Sequence, residues 1–129
     1  MKKILIIGSF DSTPEMIAAA QRIVENAKRD GDTIICGDAP GIDRAVILKC
    51  DELGVKVAVY GAFNMVRYCS TGAENSNTAL PSAYAVRDRT MAWACDRCFE
   101  IWNPKSSGSH RTKCAAESYG KQVTVIRCG

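Results

Sequence analysis

Short β-branched runs alternate with helical stretches along this whole chain, and that alternation leaves few folds open. Apolar runs at residues 4–7, 33–36, 55–60, 97–102 and 122–126 read as strands, and residues 13–29, 41–53, 82–94 and 109–119 read as helices. In the first helix Met16, Ile17, Ala20, Ile23, Val24 and Ala27 recur at helical spacing, with Pro14 in its first turn. Strand–helix alternation of this kind builds a parallel sheet with helices on both faces. The expected fold is a single-domain Rossmann-like α/β three-layer sandwich over residues 1–129, with a five-stranded, mainly parallel sheet of order 3-2-1-4-5. Met91 and Trp93 of the third helix are assigned to its core. Residues 61–81 are rich in Ser, Thr, Asn and Gly and too long for a plain connector, so they are expected to serve as a lid or an interface loop.

In an open parallel sheet, ligands sit at the carboxyl ends of the strands, beside the switch point at the first strand. Three turns reach that edge. Gly8-Ser9-Phe10-Asp11-Ser12 enters the first helix; Gly8 allows close backbone approach and Ser9 offers a hydroxyl, although Asp11 or Ser12 would also serve as a plain N-cap. Gly37-Asp38-Ala39-Pro40-Gly41-Ile42-Asp43 turns from strand to helix and aims backbone N–H groups and a positive helix end at whatever binds there. Pro40 lacks an N–H, so an anion cradle at this turn would use Gly41, Ile42 and their neighbours. Asp38 opposes an anion unless its side chain turns away, and Asp43 also suits the helix dipole. The third turn, residues 103–112, combines Ser106, Ser107, Gly108 and Ser109 with Lys105, His110 and Arg111 at a helix start. It is the densest group of anion-binding residues in the sequence, but it lacks the spacing of a Walker loop. On the third helix, Arg87 can reach a carboxylate or phosphate and Asp88 a ribose; a solvated pairing with Arg89 or Asp96 is the plainer reading.

Composition narrows the partners. A net charge of +3 with scattered basic residues and few aromatics argues against nucleic acid as a partner. No apolar run approaches the roughly 18 residues of a membrane span, and the run after Met1-Lys2-Lys3 is broken by Gly8 and Asp11. A cytoplasmic location is therefore expected. Seven irregularly spaced cysteines fit free thiols in a reducing compartment. Cys95-x2-Cys98 with His110 and Cys114 has zinc-like spacing, but the intervening strand would hold the two ends roughly 15–20 Å apart. No metal and no cofactor is expected.

Taken in order, Gly8-Ser9, Gly37-x-Ala39-Pro40-Gly41-Ile42-Asp43, Arg87-x3-Met91, Trp102 and Ser106-Ser107-Gly108-Ser109 resemble the SLOG superfamily of Rossmann-like proteins, in its YspA-like (YpsA-related) branch. That pattern runs Gly-Ser/Thr-Arg, Ser/Gly-Gly-Ala-x-Gly-Val-Asp, Arg-Asn-x2-Met, then a strand ending in Trp before Ser-x-Gly-Thr. The resemblance implies a site for a nucleotide or nucleotide-derived ligand, with Gly8, Ser9, Gly37, Ala39, Gly41, Asp43, Arg87, Ser106, Gly108 and Ser109 around it. It also implies self-association as a dimer or larger. Phe10 stands where the family commonly has arginine, Asp38 where it has glycine and Asp88 where it has asparagine. The LONELY GUY phosphoribohydrolases, distant relatives, carry a catalytic glutamate at the position matched by Thr112. A ligand-binding module, sensing or sequestering its ligand, is accordingly the first expectation. An N-ribosyl hydrolase or transferase acting on nucleoside monophosphates is the second, with Asp38, Asp43, Asp88 or Glu74 as substitute carboxylate. Nucleic-acid binding, as in DNA-processing members of the superfamily, is the third.

Overall fold

The computed structural model describes residues 1–104 and 109–128. Its elements run β1 (Lys3–Gly8), α1 (Pro14–Asp30), β2 (Thr33–Cys36), α2 (Ile42–Leu53), β3 (Val57–Gly61), β4 (Ser76–Ala79), α3 (Tyr84–Ala94), β5 (Arg97–Trp102), α4 (His110–Ser118) and β6 (Gln122–Arg127). All paired strands are parallel, in the order β4-β3-β2-β1-β5-β6. This is the expected 3-2-1-4-5 order with one strand added at the β3 edge, which makes six strands rather than five.

The period-2 pleat sorts the apolar residues of β1 between two layers. Ile4 and Ile6 face α1 and α2, where Met16, Val24, Val46 and Ile47 are fully buried, while Leu5 and Ile7 face Met91, Ala92 and Ala116 of α3 and α4. Thr13 caps α1, its Oγ1 accepting from Met16 N at 3.2 Å, with Pro14 at the first helical position. Met91 lies in the core as expected, but Trp93 does not: it is 66% exposed. Two residues apart on a helix is about 200° of rotation, so only one of the pair can face the sheet. Trp93 instead packs edge-on against Tyr119, with the Lys121 ammonium 5.2 Å from its ring centre.

β4 lies within the 61–81 segment and carries no apolar run for sequence reading to detect: all four of its residues are exposed. Side-chain amides hold it in place. Asn75 Oδ1 accepts from Val57 N at 3.1 Å, and Asn77 brackets Ser70 by accepting from its N–H (2.8 Å) and donating to its carbonyl (3.1 Å). Asp51, at the end of α2, accepts from Ser70 Oγ at 2.6 Å, Thr71 N at 2.9 Å and Asn75 Nδ2 at 3.3 Å. Burial raises its pKa, but these hydrogen bonds outweigh that and hold the carboxyl below its ordinary value. The β3–β4 crossover is thus a non-helical strap buttressed on α2. Among the described residues, no helix is long and apolar enough to cross a membrane.

Replacing Asp51 with alanine should cost about 1–3 kcal/mol by orphaning these donors. Hydrogen exchange should accelerate at residues 69–77 while the amides of β1 and β5 keep their protection. Uniform loss of protection across the sheet would refute the view that the strap is a locally held unit.

Candidate functional site

A cleft of about 260 Å³ opens at the carboxyl edge, where β1 separates β2 from β5. The turn after β1, the turn after β2, and one face each of α3 and α4 form its walls. Of the residues singled out by sequence, Gly8, Ser9, Ala39, Asp43, Arg87, Asp88 and Ser109 line it. Gly37 and Gly41 stand behind its wall, and Ser106 and Gly108 lie outside the described residues. Asp38 does not line the cleft, and Glu74 is exposed near β4, away from it.

The two glycine turns serve each other more than a ligand. A Cβ on Gly8 would stand 2.6 Å from Ile42 Cγ1, so the close approach at Gly8 is made by α2. Gly41 has φ +86°, and a Cβ there would meet the Phe10 carbonyl at 2.5 Å and that of Ser9 at 2.6 Å. Ile42 N donates to Ser9 O at 3.4 Å, Ala39 N donates to Asp43 Oδ2 at 3.1 Å, and Ser9 Oγ donates to Asp11 O at 3.0 Å. The amide of Ile42, expected to cradle an anion, is therefore already engaged, as is that of Ala39. Residues 37–43 form a packed joint between β1 and α2.

Asp38 resolves its apparent conflict with an anion by turning inward. It is 1% exposed and accepts from Arg67 N (2.7 Å), Arg67 Nη2 (2.8 Å), Arg67 Nε (3.2 Å) and Arg87 Nη1 (2.8 Å). Burial raises its pKa, but the Arg67 hydrogen bonds and the two guanidinium charges prevail and hold it below the ordinary value. Arg87 turns its other edge to Asp88, with Nε and Nη2 at 3.1 and 3.0 Å from Oδ1. The solvated pairing with Arg89 or Asp96 is replaced by an Asp38–Arg87–Asp88 chain that is buried at Asp38 and Arg87 and part-buried at Asp88. Arg67 and Arg87 both lie over the Tyr84 ring, at 4.8 and 4.9 Å from its centre, and Arg67 is 5.9 Å from that of Phe10.

Asp43 is buried beside this chain. Burial raises its carboxyl from 3.8 to about 6; the Ala39 amide and Arg87 oppose the rise, and Asp38 and Asp88 add to it. Ser109 stands at the N-cap position of α4, but its Oγ donates to Glu100 Oε2 at 2.6 Å rather than accepting from the helix amides. Glu100 is fully buried, and His110 Nδ1 comes within 2.9 Å of the same oxygen without a well-directed hydrogen bond. Thr112 and Arg111 complete that wall. Arg67, Tyr84 and Glu100 escaped sequence reading. The first two sit where no motif marks them, but Glu100, a charge inside the apolar strand Arg97–Trp102, was a visible signal.

Solved structures of distant sequence share this fold. DNA processing protein A from Helicobacter pylori, described in a single-stranded DNA binding mode, matches with TM-score 0.77 and 17% identity over 96% of this chain and 64% of that one. Its counterpart from Streptococcus pneumoniae matches with TM-score 0.78 and 18% identity over 100% of this chain and 51% of that one. The molybdenum cofactor carrier protein from Chlamydomonas reinhardtii matches with TM-score 0.74 and 12% identity, covering 96% and 75%. This chain thus spans 64% and 51% of the two DNA-processing chains. No family model and no curated protein sequence matches it. What these likenesses establish is the fold, a Rossmann-like α/β domain.

The raised Asp43 pKa has a signed consequence for stability. Between about pH 4 and pH 6 the native carboxyl holds a proton that the unfolded chain releases, so stability falls as pH rises through that window. The penalty is complete above about pH 6 and amounts to roughly 3 kcal/mol, at 1.4 kcal/mol per pK unit. Asp43→Asn keeps an acceptor for the Ala39 amide and removes the charge. The variant should resist urea better than the parent at pH 7.5, with the advantage fading toward pH 4; an advantage independent of pH would rule out charge burial as the cause.

Proposed function

We propose that this protein binds a nucleotide-derived small molecule across the carboxyl edge of its sheet, as a sensor or binding module. The observation that carries the reading is the cleft's mixed lining: the aromatic rings of Phe10 and Tyr84, the acidic side chains of Asp43 and Asp88, and Ser109 with Arg111 at the start of α4. In this reading a base packs against Phe10, ribose hydroxyls donate to the carboxylates, and an anionic group meets Arg111 and the helix start. The SLOG-like order of motifs supports the same ligand class, and the shared fold of a cofactor carrier protein is consistent with it.

The strap supports a lid role for residues 61–81, because Arg67 extends from it over Tyr84 at the cleft mouth. Phe63 and Met65 on the same strap are 59% and 58% exposed, which suits self-association or contact with a partner. An N-ribosyl hydrolase is the second reading, favoured by one feature: Asp43 is a buried carboxyl in the cleft with a pKa of about 6, suited to general acid–base work near neutral pH. Asp38, locked between two arginines, is not placed for that role.

A thermal-shift screen with nucleosides, mono-, di- and cyclic nucleotides, ADP-ribose and dinucleotides tests the proposal, with each stabilising compound then recovered by chromatography. A compound that raises the melting temperature and returns intact supports the binding module. Recovery as free base and sugar phosphate, lost in Asp43→Asn, would establish the hydrolase instead. Arg111→Ala should abolish most of the shift given by any anionic ligand. No shift from any compound, alongside a salt-dependent gel shift with single-stranded DNA, would overturn the reading in favour of nucleic acid.

A further inference from the structure

Asp43 is a cleft carboxyl short of hydrogen-bond donors. Its neighbour Asp38 accepts four hydrogen bonds, three from Arg67 and one from Arg87. Asp43 is 7% exposed and lines the cleft, yet among the described residues it accepts one, on Oδ2 from Ala39 N at 3.1 Å. A carboxylate has room for about four. Burial outweighs that amide and the Arg87 charge, which is why Asp43 titrates at about 6. A ligand that fills the cleft takes water away from this carboxylate, so it has to bring a donor of its own or leave a buried charge poorly satisfied.

A second acceptor stands nearby. Asp43 and Arg87 converge on Gly37, where a Cβ would meet Asp43 Oδ2 at 2.7 Å and Arg87 Nη1 at 3.0 Å. Asp88 also lines the cleft and takes the Nε and Nη2 edge of the same guanidinium, both bonds falling on Oδ1. Its side chain is 13% exposed, and its charge acts on Asp43. Arg87 thus holds Asp88 close to Asp43 on the cleft lining, each carboxyl with acceptor capacity beyond its bonds to the described residues.

Resting on the nucleotide reading above, we infer that the ligand carries a ribose with both its 2′ and 3′ hydroxyls free, and that Asp43 and Asp88 recognise this cis-diol by accepting hydrogen bonds from it. The two hydroxyls lie on one face of the sugar and supply a donor for each carboxyl. A 2′-deoxyribose supplies only one, and a 3′,5′-cyclic diester puts a negatively charged group where a donor is needed. A buried acceptor left without its hydroxyl makes such a site discriminate strongly against the analogue. The ligand class is a ribonucleoside or a derivative substituted at the 5′ position, ADP-ribose included, and not a molecule taken from DNA.

Calorimetry at pH 7.5 with AMP, GMP, CMP, UMP and ADP-ribose identifies which ribose compounds bind. The tightest-binding monophosphate is then compared with its 2′-deoxy, 3′-deoxy and 3′,5′-cyclic forms, each of which should bind at least tenfold more weakly. Asp43→Asn keeps an oxygen for the Ala39 amide and replaces the other acceptor with a donor. It should weaken the ribonucleotide and reduce its advantage over the 2′-deoxy and 3′-deoxy forms several-fold; Asp88→Asn should do the same. A smaller loss than tenfold for either deoxy form in the wild-type protein would overturn the inference while leaving nucleotide binding intact. Full ribose preference in folded Asp43→Asn and Asp88→Asn proteins would overturn it too, and if neither variant folds the wild-type series decides. Failure of all five ribose compounds to bind would remove the nucleotide reading itself, and the inference with it.

Discussion

The carboxylate of Asp38, buried between Arg67 and Arg87, is the interaction around which the carboxyl edge of this protein is assembled. A lone buried carboxylate is untenable, so Asp38 has to recruit compensating donors. Those donors come from two different segments: the strap between β3 and β4 supplies Arg67, and α3 supplies Arg87. One side chain in the turn after β2 thereby fixes the strap, the helix and the turn relative to one another. The two guanidinium groups then lie over Tyr84, one of the residues that line the cleft.

This arrangement changes what the conspicuous motifs do. A glycine-punctuated turn from strand to helix suggests free amides awaiting an anion, but here Gly8 and Gly41 let two turns interlock. Ile42 N is taken by the Ser9 carbonyl and Ala39 N by Asp43. The basic residues follow the same pattern, since Arg67 and Arg87 are engaged with Asp38 and Asp88. Among the described lining residues, Phe10, Asp43, Ser109 and Arg111 are left beside these engaged groups, and Arg111 makes no ion pair.

Two carboxyls near the cleft differ because their surroundings differ. Asp38 is held ionised by hydrogen bonds and positive charge, whereas Asp43, with one amide and a shared arginine to set against burial and two acidic neighbours, titrates near pH 6. Sequence spacing alone does not distinguish them: Asp38, in the turn after β2, and Asp43, in the first turn of α2, are five residues apart. Which carboxyl can exchange a proton near neutral pH is decided by the direction each side chain takes after the chain has folded.

What the sequence determined by itself was the architecture. Periodicities of two and 3.6 are local properties, so the strands and helices of the β1–β2–β3–β5–β6 framework, their order, and the edge at which the cleft opens were all legible. β4 was not, because Ser76, Asn77, Thr78 and Ala79 carry no apolar pattern, and the tie to the strap is made by the side-chain amide of Asn77 on the Ser70 backbone. Trp93 was misassigned to the core because hydrophobicity alone does not say which side of a helix faces the sheet. Residues such as Ser9, Asp43, Arg87 and Ser109 could be nominated from motif and position, and the fold brings them to one cleft. Their partners could not be nominated: the pairing of Asp38 with Arg67, 29 positions away, and with Arg87, 49 positions away, exists only in three dimensions. Charge in a folded interior is governed by neighbours rather than by sequence spacing, so the tertiary structure decided which groups are engaged within the protein and which line the cleft without a partner.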